Sequence, residues 1–232
     1  MPANFAQYST VSAAAFASKA ATNVTSFGTA AGPALPVDGD AAMDTDRNSL
    51  TYIMGNTHTS TNSLYSIYAN VAVANTATET DIINTASSID SKTLVAGYLT
   101  QGKVIRIKAM GFYSTTANNP TLRFRVRIGG IAGTVVLDST AVAGGVSTSN
   151  RGWKLEGLIN VRTTGATGTV FAQGLVQTFQ TVTGVTNEDM VNTATQTIDT
   201  TVSQAIVLSV EWQTADAGNT ITCTVCTIES VS

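Results

Sequence analysis

Cys223 and Cys226, in "TITCTVCTIES", have the spacing of a redox or metal motif. A redox pair needs a helix N-terminus to lower the thiol pKa. A zinc site needs further ligands, and the chain has no second cysteine pair. The segment alternates like a strand, which places positions 223 and 226 on opposite faces and about 10 Å apart along the chain. It therefore predicts two packing residues. His58, in "GNTHTSTNS", is the lone histidine, so any Ser-His-Asp relay would have to use it. No G-x-S-x-G elbow accompanies it, and the Thr/Ser surroundings read as a loop. Asp38, Asp40, Asp44 and Asp46 cluster in "DGDAAMDTD" without the spacing of a calcium loop. Glu79 with Asp81, or Glu188 with Asp189, could be written as a glycosidase pair, but nothing in the sequence favours either. The expectation is no catalytic residue, no cofactor and no metal, and so not an enzyme.

The strongest local signal is basic. In "NNPTLRFRVRIGG", Arg123, Arg125 and Arg127 alternate with Leu122, Phe124, Val126 and Ile128, and these are three of only 12 basic residues. "GKVIRIKAMGFYST" adds Arg106 and Lys108 opposite Ile105, Ile107 and Ala109. Residues 103–162 carry a net charge of +7, whereas 1–102 carry −4 and 163–232 carry −6, within a total of −3. The five residues Arg106, Lys108, Arg123, Arg125 and Arg127 form the candidate interaction face, read as two adjacent strands presenting one basic surface. Two readings stand side by side: a contact surface for an acidic partner or neighbouring subunit, or a solvated face whose arginines pair with acids such as Glu211 and Glu229. Direct nucleic-acid binding is disfavoured by the negative total charge and by the absence of outward aromatics between the cations.

These residues need strands to position them. Burying Leu122, Phe124, Val126 and Ile128 stabilises by about 6–12 kcal/mol as an upper bound. A one-residue slip would bury guanidinium groups instead, so the register is fixed and the arginines point outward. Similar alternation marks 63–83, 102–115, 133–140, 151–164, 168–179, 204–214 and 219–230, with a polar loop over about 183–196. The "TANNP" turn predicts a hairpin between 102–115 and the arginine strand. Trp153 and Trp212 fall on inward faces. About eight strands with no intervening helix indicate an all-β fold, a jelly-roll-like antiparallel sandwich over residues 51–232.

Residues 1–50 differ. They hold three of the four prolines and are rich in Ala, Ser and Thr, which predicts an extended N-terminal arm, with a short helix over 11–21 as a marginal element. Charged residues are only 12% of the chain, about half the usual share. Such a surface is hidden in an assembly or solvated by hydroxyls, and Thr occurs 39 times. No apolar run approaches the ~20 residues of a membrane span, and the N-terminus lacks the basic start of a secretory leader. The expectation is no membrane and synthesis in a cytoplasm.

"GKVIRIKAMGFYSTTANNPTLRFRVRIGG" followed by "RGWKLEGLINVRTTGATGTVFAQG" resembles the jelly-roll module of tailed-phage virion proteins, the capsid decoration (cement) proteins in particular. The resemblance spans about residues 97–175. It implies a structural role on the capsid surface of the virion, contact with the major capsid protein, and a homotrimer. A tail-fibre, head-fibre or spike domain that binds a host receptor is the alternative, and a jelly-roll enzyme or lectin a third reading.

Overall fold

The computed structural model describes residues 41–44, 49–54, 57–60, 62–84, 88–89, 91–181 and 184–231, with side chains from residue 63 onward except 88–89. Two compact units divide between Ser63 and Leu64, later than the boundary near residue 50 read from the sequence. In the first unit, β1 (Ala41–Asp44), β2 (Ser49–Met54) and β3 (Thr57–Ser60) form a three-stranded antiparallel sheet. The later part of the expected arm is therefore sheet. Thr51, Tyr52 and Ile53 are good strand formers, which accounts for β2. The reading of His58 as a loop residue is corrected, because it lies on β3 opposite Ile53. Residues 1–40, including the helix expected over 11–21, and Asp46 lie outside the described residues.

The second unit is an all-β antiparallel sandwich of jelly-roll type, with no helix among the described residues. One layer is a six-stranded sheet built on β10 (Thr121–Ile128), β11 (Thr134–Asp138) and β17 (Gln204–Trp212). The short strands β6 (Thr80–Asp81), β8 (Thr93–Leu94) and β12 (Val142–Ala143) complete it. The other layer has nine strands. Its centre is β9 (Val104–Ser114), β13 (Arg151–Thr163), β14 (Gly168–Phe179) and β18 (Thr220–Ser230). Its periphery is β4 (Asn62–Ile67), β5 (Val71–Ala74), β7 (Ser88–Ile89), β15 (Val185–Val191) and β16 (Gln196–Ile198). The polar loop expected over 183–196 thus contains a strand, β15. Its polar sequence suits a sheet edge, where only Met190 turns into the core.

Alternation places the core as the sequence predicts. Ile105, Ile107 and Ala109 of β9 and Leu122, Phe124, Val126 and Ile128 of β10 are buried. So are Trp153 and Trp212, and the Phe124 and Trp153 rings pack 5.2 Å apart between centroids. The expected hairpin is absent. β9 pairs with β13 and β18 along nearly its full length, whereas β10 pairs with β11 and β17. Both edges of β9 are thereby occupied, so the "TANNP" segment, with Asn119 at φ 48°, carries the chain from one layer to the other.

Three glycines set how closely the layers and strands approach. A Cβ on Gly157 would lie 2.4 Å from Leu137 Cδ1, and one on its cross-strand partner Gly174 would lie 3.3 Å from the same atom. Leu137, on β11 of the facing sheet, therefore seats in a notch that side chains would fill. A Cβ on Gly111 would lie 1.8 Å from the Thr222 carbonyl, the same carbonyl that accepts the Trp153 indole N–H at 3.1 Å.

Candidate functional site

The five basic residues singled out by the sequence do not share one face. Arg123, Arg125 and Arg127 lie on the outer side of the six-stranded sheet, and Arg106 and Lys108 on the outer side of the nine-stranded one. The reading of a single basic surface is corrected on that ground. Two strands of similar alternation each bury an apolar side, but alternation does not say which sheet a strand joins.

On the six-stranded face the arginines are closed into an ionic network. Glu79, just before β6, receives Arg127 in a two-pronged contact, Nε to Oε1 at 2.6 Å and Nη2 to Oε2 at 2.8 Å. Arg125 Nη1 reaches Glu79 at 2.8 Å and Glu211 at 2.6 Å, with Asp138 at 3.6 Å from its Nε. Arg123 donates to both oxygens of Asp138, from Nε at 2.7 Å. The buried Ser209 hydroxyl also donates to Glu79, and Arg127 Nη1 donates to the Gly133 carbonyl at 2.8 Å. Three guanidinium groups thus meet three carboxylates. Arg125 points outward yet is buried, because Glu79 and its neighbours roof it. Beside this roof, Lys92 pairs with Asp81 and donates to the Ile83 carbonyl at 2.9 Å.

The electrostatics follow from these contacts. The Arg127 hydrogen bonds hold the Glu79 carboxyl below its ordinary value against the opposing effect of burial, with help from Ser209 and Arg125. Burial pushes the Asp138 carboxyl upward, but hydrogen bonds from Arg123 and the Thr140 amide outweigh it and leave the value lowered. Arg127 and Arg123 are held charged by the same partners. Carboxylates so placed are poor proton donors near neutrality. Guanidinium groups so occupied have few directions left for an anionic ligand.

The nine-stranded face is different in kind. Arg106 pairs with Glu229, and Lys108 pairs with Glu156 at 3.3 Å; all four side chains are substantially exposed. Around them lie Met110 beside its cross-strand partner Val225, then Phe112, Leu158, Val185 and Val191, all exposed. Twelve large apolar side chains are exposed among the described residues; these are six of them, and no strand of the other sheet contributes one. Where Gly157 and Gly174 cross, the face dips into a shallow depression of about 330 Å³ bordered by Glu156, Leu158, Gln173 and Leu175. This apolar surface was legible in β9 and β13 as outward Met110, Phe112 and Leu158. It became a surface only once the sheet order was known.

The cysteines also need a correction. Both are buried in the core on the same side of β18, not on opposite faces. The register slips between Cys223 and Val225, so Thr224 is an extra residue that resets the alternation. Burial pushes the Cys223 thiol up to about 12 and the Cys226 thiol well above its usual value. Such thiols are inert as nucleophiles.

Of the carboxylate pairs, Glu79 belongs to the arginine network and Asp81 to Lys92, while Glu188 and Asp189 are successive residues of β15 and so point to opposite sides. Among the described residues, no group of three or more His, Cys, Asp and Glu side chains gathers as metal ligands. No helix among them is long and apolar enough to cross a membrane.

No protein-family model and no curated protein matches the chain. It is similar in structure to family 7 alginate lyase A1-II', in a point variant bound to its product, at 11% identity and a TM-score of 0.26. A second structure of A1-II', described as a member of polysaccharide lyase family 7, gives 11% and 0.25. Each comparison covers 84% of this chain and 85% of the other. These structures are enzymes, so the expectation that the chain is not an enzyme is withdrawn. At this TM-score the likeness assigns no reaction, substrate or residue to the chain.

Proposed function

We propose that the chain is a capsid decoration protein of a tailed phage, attached to the major capsid protein at the virion surface. The sequence resemblance over residues 97–175 suggests the role. Those residues supply β9, β13 and β14, three neighbouring strands of the nine-stranded sheet, and the β10–β11 pair of the other. The observation that carries the reading is the outer face of the nine-stranded sheet. An antiparallel sheet face left to water is normally polar, and a contiguous apolar patch marks a contact surface. A low-charge sandwich with one such face suits a component that is covered in an assembly.

The test is rebinding of the full chain to capsids from which it has been stripped. Saturable binding at a fixed number of sites per particle is expected. Binding to whole host cells, with none to stripped capsids, would replace this reading with that of a fibre or spike domain.

A further inference from the structure

We infer that the outer face of the nine-stranded sheet is buried against the same face of a second copy of this chain. The inference goes beyond the decoration role: it gives this face to a second copy and leaves the capsid to another surface of the body.

Three observations select this occupant. The first is charge. Two cations of the face are met within the chain, Arg106 by Glu229 and Lys108 by Glu156. The exposed groups of this face without an ion-pair partner among the described residues are of both signs, Lys154 and Arg162 on β13 and Asp189 on β15. Every copy therefore offers both halves of a complementary pair. A face that carries both halves fits a two-fold, self-matching contact.

The second observation is the arrangement of the apolar side chains. Met110 and Val225 sit side by side. Phe112 lies opposite Gly152, and the Phe179 ring lies 3.4 Å from where a Cβ on Gly152 would be. Val185 follows on β15, directly opposite Phe179. This band runs from β18 to β15, with Lys154, directly opposite Met110, on its flank and the Lys108–Glu156 pair between it and Leu158 and Val191. Two such bands brought together exclude water from both.

The third is area. Five strands, β15, β14, β13, β9 and β18, are about 24 Å wide at about 4.8 Å spacing, and the eleven residues of β9 extend about 36 Å. The footprint is on the order of 800 Å², which is what each partner of a stable interface contributes.

The test is the mass of the full chain in solution, by light scattering or sedimentation over a wide concentration range. The expected species is twice the 24.0 kDa chain, a departure from the trimer that the family resemblance implies. Met110→Glu and Leu158→Glu replace exposed side chains, so each should keep the wild-type circular dichroism and the thermal transition that the wild type shows when diluted to single chains, while shifting the mass to that of one chain. Hydrogen exchange gives a second readout: the amides of β15, an edge strand of this sheet, should exchange faster in the variants than in the wild type. A monomeric or trimeric wild type, or a dimer that survives both substitutions, overturns the inference. A monomer whose rebinding to capsids is lost in Met110→Glu would also overturn it, and would make the capsid protein the occupant with the decoration role intact.

Discussion

Arg125, on the six-stranded sheet, has a side chain 10% exposed and lies within ion-pair reach of three carboxylates; Arg106, on the nine-stranded sheet, is 35% exposed and pairs with one. Both sit at outward positions of alternating strands. The difference lies in what the chain lays over them. The segment leading into β6 carries Glu79 across β10 and β17, and the outer sheet surface beneath becomes part of the interior. Nothing comparable among the described residues covers the centre of the other sheet, where Met110 and Leu158 meet solvent. An alternating arginine strand is thus not in itself a binding surface. Its role depends on whether a distant carboxylate closes over it.

Substitution of Glu79 tests that contrast most severely. Glu79→Ala leaves Arg125 and Arg127 short of their shared partner in a largely dry place, and breaking a buried pair from one side costs about 3–5 kcal/mol. Urea unfolding should show a loss near the lower figure, about 3 kcal/mol, because Glu211 and Asp138 still contact Arg125. Glu79→Gln keeps the shape and should lose about 2 kcal/mol. A loss no greater than that of a surface pair would remove the distinction between the two faces.

Acid should act on the same face, more weakly. Glu79 and Asp138 are both lowered from ordinary values of 4.5 and 3.8. A carboxyl lowered on folding stabilises fully above its unfolded value, and that stability fades as pH falls through the lower folded value. The urea midpoint of the wild type should therefore hold down to about pH 5 and fall below about pH 4. Glu79→Gln should show a shallower fall over that interval. Parallel curves for the two proteins would show that Glu79 does not carry the acid sensitivity.

The smallest effect belongs to the open face. Lys108→Ala removes a pair whose side chains are 43% and 60% exposed, and exposed pairs contribute at most about 1 kcal/mol. A change within about 0.5 kcal/mol is expected for the isolated chain. A larger loss at concentrations where the chain associates, absent on dilution, would sharpen the comparison by assigning Lys108 to the contact between copies.

Much of the sandwich was legible because period-two alternation states which side chains must be dry. Leu122, Phe124, Val126 and Ile128, like Trp153 and Trp212, are buried where the pattern puts them. The pattern is silent on partnership. It could not show that β9 and β10, only a turn apart in sequence, belong to different layers. Nor could it show the extra residue at Thr224 that brings Cys223 and Cys226 to one side, since a bulge leaves no mark on composition. The arginine network was half visible. Arg125 pairs with Glu211, an acid that the charge map suggested, but Glu79 lies 46 positions from Arg125 and just before a strand of two residues. Such a short strand has too few positions to show alternation.

Leu137, lodged against main chain at Gly157 and Gly174, gives the sandwich a mechanical property. Side chains facing one another can rotate aside when two layers are sheared, but a leucine seated against backbone has no such yielding neighbour. Force applied along the exposed sheet would be passed through that peg to its opposite layer before either sheet could slip, so that the body moves as one piece when pulled from one side.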